Sequence, residues 1–477
     1  MFTKNFNITV FLTSLILLIE GVSFIFCIPI ALYFHETIVP FLLPSLITIS
    51  FGLFFYIFSR ENNKRINDKY QLIILVTYSW ILLILLGTLP FLISKSISSP
   101  VNILFETISG FSTTGTTIVA NIETLPKSIL IWRSMTHWIG GIGVIIMSFT
   151  IFQTLDFGGY KILCPNLSSK DKNHINTNRI IHSIVLVYII LTFIQIILLS
   201  IGGMNLFESF CYAFGTVSTG SFYPNNSGLA SYSSFIQYII TIFMLLSGIG
   251  YAFYFVILLK GFKKALKIEE TRLFILIILI VTILISGILY FKSIQNIEVT
   301  FRESFFQVTS FVTNSGYSIT NYLVWPSHVL VILVFFLFIG GCTNSATGGI
   351  KMSRFLILIR NLKMNFKMLN PNNTDYKIRY NYKNLDENQN LSILTFITVF
   401  GVIFMLGTMS LSSLGINFKE SAFLSISSLS NFGYCHNLAN FPKSGKIILI
   451  FLMLIGRLEI YTLILLFTPR LKKRLKQ

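Results

Sequence analysis

The stretch FETISGFSTTGTTIV, from Phe105 to Val119, lies between two long apolar segments and decides the fold. It is rich in serine and threonine and carries two glycines, unlike the sequence on either side. Three similar stretches follow along the chain, so all four call for one structural explanation. They are MNLFESFCYAFGTVSTGSFYPNN (204–226), FRESFFQVTSFVTNSGYSITN (301–321) and FKESAFLSISSLSNFGYCHN (418–437).

These four stretches, here called the tracts, share a spacing between a glutamate and a glycine. In the third and fourth tracts, F-x-E-S-x-F opens the stretch and the glutamate precedes the glycine by thirteen residues. In the second tract the glutamate precedes the glycine by twelve residues. In the first tract Glu106 precedes Gly115 by only nine residues, and Asn102 is the residue thirteen positions before that glycine. The glycines, separated by 105, 96 and 117 residues, predict an internal repeat of about one hundred residues. They are Gly115, Gly220, Gly316 and Gly433.

The composition predicts a helical membrane protein with many spans. Of the 477 residues, 53% are hydrophobic and only 11% are charged, whereas a soluble domain of this size carries far more charge. Several apolar runs reach the roughly 20 residues needed to cross a bilayer, and a β-barrel would show short alternating segments instead. The predicted spans are 8–34, 38–58, 71–94, 128–156, 180–202, 233–260, 273–293, 326–360, 391–414 and 445–468.

Each repeat is predicted to contain a span, a short re-entrant pore helix, a glycine loop and a second span. Irregular backbone at membrane depth is tolerated only inside protein or beside a water-filled cavity, so four such loops on one axis predict a pore. The predicted fold is an all-α polytopic membrane protein with four pseudo-symmetric membrane–pore–membrane repeats around one pore, plus two extra N-terminal transmembrane helices. The predicted segments are an N-terminal hairpin (1–60), pore repeats at 71–160, 180–262, 272–362 (with a broken second helix) and 391–468, and a basic cytoplasmic tail (469–477).

The formal net charge of +18 is concentrated in a few polar connections and in the tail RLKKRLKQ. The basic connections follow spans two, four, six and eight, so every heavily basic segment lies on one side if both termini are cytoplasmic. The positive-inside rule predicts this arrangement. Contact with anionic membrane lipids accounts for the charge, and no nucleic-acid partner is expected.

The tracts offer backbone carbonyls, which replace the water shell of a dehydrated monovalent cation. Glycine permits the backbone conformations that a ring of carbonyls requires, and each pore helix directs its partially negative C-terminal end toward the axis. The predicted filter residues are Thr113, Thr114 and Gly115; Ser218, Thr219 and Gly220; Asn314, Ser315 and Gly316; and Asn431, Phe432 and Gly433.

Span eight is interrupted by FIGGCTNSATGGIKMSR (338–354), whose glycines each cost about 1 kcal/mol inside a helix. The interruption predicts a movable plug beneath the filter, with close helix packing as the alternative. Arg457, in the apolar run GRLEIYTLILLFTPRL, either pairs with a neighbour such as Glu459 or faces the pore. The predicted gating residues are Gly340, Gly341, Cys342, Thr343, Asn344, Ser345, Ala346, Thr347, Gly348, Gly349, Lys351 and Arg457.

The sequence carries no pattern that indicates catalysis. It has no carboxylate pair near a nucleophile, no histidine–cysteine cluster and no phosphate loop, and its five cysteines are scattered. We therefore predict that the chain is not an enzyme; a membrane enzyme acting on lipid or glycan is a disfavoured alternative.

Several of these motifs resemble one known family. The tracts, GGCTNSATGGIK (340–351), WRSMTHWIGGIGVIIM (132–147) and above all GRLEIYTLILLFTP are similar to the Trk/Ktr/HKT superfamily of potassium uptake proteins over essentially the whole chain. The two spans before the first repeat make the chain more similar to bacterial TrkH than to the shorter KtrB. The resemblance implies a potassium filter around the four glycines, a gating loop at 340–349 and Arg457 beneath the filter.

The resemblance also implies partners. It implies a homodimer in a bacterial inner membrane and a cytosolic TrkA/KtrA-like ring that binds a nucleotide, NAD or ATP/ADP, while this chain carries only the transported K+ and no cofactor. Family members with serine at the first filter glycine tend to admit sodium, so glycine at all four predicted positions favours potassium; Phe432 and CTNSATGG depart from the family pattern. A sodium-permeable or sodium- or proton-coupled transporter with the same pore is the alternative.

Overall fold

The computed structural model describes residues 2–59, 69–155, 177–292, 296–368, 378–381, 383–433 and 438–458. The tail 469–477, the end of predicted span ten and the basic connections at 60–68, 156–176 and 369–377 lie outside these residues. A two-stranded hairpin pairs β1 (Arg379–Tyr380) with β2 (Lys383–Asn384). The helices are α1 (Phe2–Tyr33), α2 (Val39–Ser59), α3 (Lys69–Gly87), α4 (Leu89–Ser94), α5 (Pro100–Phe111), α6 (Lys127–Leu155), α7 (Thr177–Ile201), α8 (Leu206–Val217), α9 (Ser234–Gly248), α10 (Tyr251–Lys260), α11 (Phe262–Ala265), α12 (Glu269–Lys292), α13 (Ile297–Val312), α14 (Ser327–Phe338), α15 (Met352–Met368), α16 (Glu387–Ser412), α17 (Phe418–Leu429) and α18 (Lys443–Arg457).

The long helices have the length and composition of membrane spans. Within the described residues, seven helical segments qualify, and α9 with α10 form an eighth candidate that is bent by 81°. Large apolar side chains such as Val22, Ile57 and Ile283 point outward and are more than half exposed. An exposed apolar surface of this extent is stable in contact with lipid rather than water, so the chain is an integral membrane protein.

Four short helices, α5, α8, α13 and α17, occupy the gaps between pairs of spans. They contain 12 to 16 residues, too few to cross a bilayer, and their C-terminal halves are buried. The hairpin of α1 and α2 lies outside this pattern, with α1 packed against α3 and α6. The fold therefore has four membrane–pore–membrane repeats and two additional N-terminal helices, which confirms the predicted fold class.

The second span of repeat two differs from the continuous helix predicted at 233–260. It breaks at Ile249 and Gly250, because backbone groups at the break bond to the loop between α14 and α15 (339–351), here called the intramembrane loop. The Gly248 carbonyl accepts a hydrogen bond from the Cys342 amide at 2.9 Å, and the Tyr251 amide donates to the Asn344 carbonyl at 3.1 Å. Two interrupted spans thus satisfy each other's backbone groups inside the protein.

Helix α6 packs closely against the end of the first pore helix. The Trp132 indole lies between the rings of Phe24 and Phe111, and its N–H donates to the Gly87 carbonyl at 3.2 Å. About two turns further, Gly140 lies against the Phe111 backbone, where an added Cβ would lie 2.8 Å from the carbonyl carbon and collide with its oxygen. The absence of a side chain at residue 140 therefore sets how closely α6 approaches the pore helix.

We expect Gly140→Ala to destabilise the protein by about 1–3 kcal/mol, because the added methyl pushes α6 away from the Phe111 backbone. The matched control is Gly143→Ala, where an added Cβ makes only an ordinary 3.4 Å contact with the Trp80 ring. Both variants gain the same helix propensity, so the difference in thermal midpoint in detergent isolates the steric effect. Equal midpoints would show that this close approach is not needed.

Candidate ion pathway

Each pore helix ends in the same backbone conformation. The second residue after the last helical one is left-handed in all four repeats, with φ between 53° and 59°. This conformation is unusual for residues other than glycine and gives a structural register for comparing the tracts. The left-handed residues are Thr113, Thr219, Asn314 and Asn431.

Two residues further along, the four loops meet in a ring formed by Gly115, Ser221, Gly316 and Gly433. An added Cβ at Gly316 would lie 2.7 Å from the Gly433 Cα, and one at Gly115 would lie 2.6 Å from the Ser221 backbone nitrogen. Gly115 and Gly316 have φ of 82° and 83°, so both close contact and left-handed backbone require glycine there.

The ring corrects one predicted filter position. The second tract contributes Ser221, not Gly220, because its pore helix ends one residue nearer to the predicted glycine than in the other repeats. An added Cβ at Gly220 would point at the His137 ring, behind the loop. The signal was present in the sequence, since Ser221 lies thirteen residues after Glu208, the spacing of the third and fourth tracts. Only three of the four ring positions carry glycine.

The other predicted filter side chains mostly bond or pack behind the loops. Thr114 Oγ1 lies 2.7 Å from Ser112 Oγ and accepts a hydrogen bond from Asn431 Nδ2 at 3.1 Å. Ser218 Oγ donates to the Phe214 carbonyl at 2.6 Å. The remaining contacts are Ser315 Oγ with Met244 sulfur (2.8 Å) and the Phe432 ring with that of Phe311 (4.6 Å between centroids).

Two serines brace the loops of repeats one and three in the same way. Ser109 Oγ donates to the Thr116 carbonyl at 2.6 Å, and Ser310 Oγ donates to the Tyr317 carbonyl at 2.7 Å. Each bond joins a pore helix to the residue just after its ring glycine, seven positions further along. The same serine-to-carbonyl bond therefore supports the loops of repeats one and three.

A buried ion pair between α5 and α6 supports the loop of the first tract. Arg133 Nη2 lies 2.7 Å from Glu106 Oε1, with both side chains almost fully buried. The same carboxylate accepts hydrogen bonds from Thr117 Oγ1 at 2.9 Å and from the Ile118 amide at 3.2 Å. The Arg133 guanidinium also lies over the Phe222 ring of the second tract. Arg133, to which the sequence alone assigns no role, therefore joins two tracts.

His137, one helical turn after Arg133, occupies the adjoining space. Its Nδ1 lies 2.7 Å from the Gly110 carbonyl, and its Nε2 lies 3.2 Å from the Phe222 amide. The Nε2 atom therefore accepts while Nδ1 donates, which describes a neutral imidazole linking the first pore helix to the second tract.

Above the ring, a cavity of about 440 Å³ is lined by residues of all four tracts. Its floor is formed by Gly115, Ser221 and Gly433, and its walls include Thr117, Ser318 and Asn226. The lining groups described are hydroxyls, amides, backbone and apolar side chains without charge. The cavity is thus a polar vestibule that leads to the ring.

The intramembrane loop lies on the other side of the ring. Hydrogen bonds from the Gly340 amide to the Ile350 carbonyl and from the Ile350 amide to the Phe338 carbonyl, both 2.8 Å, close its base. An added Cβ at Gly349 would lie 2.9 Å from Asn314 Nδ2, and one at Gly348 would collide with the Ser430 carbonyl. The loop therefore packs directly under the pore-helix ends of repeats three and four.

Two buried cationic side chains hold the carbonyls of this loop. Arg457 Nη1 donates to the Ala346 carbonyl at 2.7 Å, and Nη2 donates to the Gly140 carbonyl at 3.2 Å. Lys351 Nζ donates to the carbonyls of Ser345 and Thr347. Both side chains line a cavity of about 20 Å³ that Asn431 also lines.

A buried carboxylate links this loop to the two-stranded hairpin. Glu270 Oε1 accepts hydrogen bonds from Thr343 Oγ1 at 2.9 Å and from the Ser353 amide at 3.1 Å. Glu270 Oε2 accepts one from the Tyr380 hydroxyl at 3.2 Å. Burial and the nearby carboxylate raise the pKa of the Tyr380 hydroxyl well above its usual value, so it stays protonated as the donor.

Four re-entrant loops that meet on one axis inside a bundle of spans define a pore-forming membrane transport protein. Comparison with known proteins supports this class. The chain belongs to the TrkH family of cation transport proteins, whose family model matches residues 40–474.

Characterised relatives match over most of their length. The chain is 30% identical to the Trk system potassium uptake protein TrkH of Salmonella typhimurium, over 86% of this chain and 87% of that protein. It is 28% identical to Trk system potassium uptake protein TrkG of Escherichia coli, over 88% and 90% respectively. The crystal structure of the potassium transporter TrkH from Vibrio parahaemolyticus superposes with a TM-score of 0.88 at 26% identity, covering 98% of this chain and 99% of that one.

We expect Glu106→Gln to lower the free energy of unfolding by about 3–5 kcal/mol, because Arg133 then remains buried without its counter-charge. Glu420→Gln is the control, since Glu420 begins another pore helix but is exposed. The thermal midpoint of each purified variant gives the comparison. A loss for Glu106→Gln no larger than that of the control would rule out a supporting role for the ion pair.

Proposed function

We propose that this protein is the potassium-conducting membrane subunit of a bacterial Trk-type potassium uptake system. The observation that carries the proposal is the convergence of four tracts on one ring, between a polar vestibule and a loop held by two cations. The relatives named for potassium uptake agree with it. The basic connections support a multi-pass position in the inner membrane with both termini cytoplasmic.

Potassium would leave the vestibule and shed water at the level of the ring. Backbone carbonyls of the tracts then replace its hydration shell, and the C-terminal ends of the four pore helices stabilise the positive charge. The ion moves down its electrochemical gradient, and no covalent bond is made or broken. The chain needs no cofactor for this step.

The intramembrane loop is proposed as the gate. Lys351 and Arg457 place two positive charges below the ring, where they repel a cation and hold the loop carbonyls that would otherwise face it. Opening requires the intramembrane loop to move away from the pore-helix ends of repeats three and four.

Control of the gate is assigned to a cytosolic partner. We propose a TrkA/KtrA-like ring that binds NAD or ATP/ADP and docks on the basic cytoplasmic connections of a homodimer of this chain. The word "system" in the names of the relatives agrees with a second component.

We expect expression of this chain to restore rubidium uptake in a bacterial strain that lacks its own potassium uptake systems. Rubidium traces potassium because both are large, weakly hydrated alkali ions. Absence of uptake by protein that is present in the membrane, with the host's regulatory ring co-expressed, would contradict the proposal.

Sodium permeation is the second candidate, and Ser221 in the ring favours it because one position departs from glycine. Excess external sodium separates the two functions. A potassium-selective pore keeps its rubidium influx, whereas a sodium-permeable or sodium-coupled pore changes it severalfold.

We expect Arg457→Gln to raise rubidium influx about tenfold or more, because charge-assisted hydrogen bonds that hold the loop contribute about 1.5–3 kcal/mol. Arg354→Gln is the control, a buried arginine whose guanidinium lies over the Phe396 ring. Uptake is normalised to protein in the membrane. Equal influx in Arg457→Gln and wild type would count against a gating role.

A further inference from the structure

Ser221 is the member of the ring that has a side chain. Its Oγ lies in the space that the other three members leave open by being glycine. An added Cβ at Gly316 would lie 2.8 Å from this oxygen, and one at Gly115 or Gly433 would collide with it. The hydroxyl is thus close to all three partner loops at once.

The same hydroxyl is bonded within the ring. Ser221 Oγ donates to the Thr114 carbonyl at 3.3 Å, a backbone oxygen adjacent to Gly115. Thr114 is a predicted filter residue, so the bond engages an oxygen that an ion would otherwise contact. An ion can pass only when this hydrogen bond breaks and the hydroxyl turns aside or becomes a ligand itself.

The members of the ring are not equivalent. Gly115 and Gly316 adopt the left-handed conformation, whereas Ser221 and Gly433 do not. Ser221 adds a side chain, so the extra bulk lies on the side of repeat two.

We propose that the Ser221 hydroxyl sets the largest alkali ion that this pathway admits. The inference rests on the proposed function, since it assigns a specificity-determining residue to the same pore. A ring of four glycines would leave the axis free for larger ions. With Ser221, the ion must share the ring with a hydroxyl oxygen, and the largest ions are slowed most.

The test compares cesium with rubidium influx in the uptake-deficient strain expressing the full chain. We expect Ser221→Gly to raise the cesium-to-rubidium ratio about tenfold, since both the bulk and the hydrogen bond are removed. Ser221→Ala, which keeps Cβ and loses only the oxygen, gives an intermediate ratio. The ratio is independent of protein level and of how long the gate stays open.

Ser227→Gly is the matched control, because it makes the same change in the vestibule wall above the ring. Its ratio stays at the wild-type value. Wild-type rubidium influx with ratios unchanged in Ser221→Gly and Ser221→Ala overturns the Ser221 proposal and leaves the proposed function standing. No rubidium influx in the wild type or in either Ser221 variant overturns both. Influx in Ser221→Gly with none in the wild type also overturns both, because the hydroxyl would then block every ion instead of setting a size limit.

Discussion

The need to satisfy backbone polar groups at membrane depth governs this structure. A bilayer interior offers no water, so each irregular segment has to find its hydrogen-bond partners within the protein. In two of the tracts, serine hydroxyls of the pore helix donate hydrogen bonds to loop carbonyls. At the break between α9 and α10, the backbone groups bond to the intramembrane loop. Because these groups bond to one another, the irregular segments gather at the centre of the bundle, where a pathway for ions becomes possible.

The repeats share a scaffold but differ where they meet. All four pore helices end with a left-handed threonine or asparagine, a strained conformation kept by burial and by the surrounding backbone bonds. Three of these residues, Thr113, Asn314 and Asn431, have a buried polar side-chain atom without a partner among the described residues. The cost of such atoms is tolerated at functional positions, and here Asn314 and Asn431 lie against Gly349 and Gly348 of the intramembrane loop.

Much of this architecture could be predicted because its signals are local. Apolar length predicted the spans, and recurring glutamate–glycine spacing predicted the repeats. The position of Ser221 was missed because a glycine lay one residue earlier, and only the end of the pore helix fixes the register. The break at Gly250 and the pairing of Glu106 with Arg133 depend on contacts between distant segments, which neither hydropathy nor spacing encodes. The potassium-binding and gating roles remain predictions that the fold supports by placement.

The Glu270 carboxylate has a mechanical consequence for the intramembrane loop. One of its oxygens bonds that loop and the other bonds Tyr380 of the strand hairpin. If either element moved away, the buried Glu270 carboxylate would lose some of its hydrogen bonds. The free-energy cost of that loss is comparable with that of a weak protein contact. The hairpin and the intramembrane loop are therefore mechanically coupled, so a displacement of the hairpin is transmitted to the loop through this buried carboxylate.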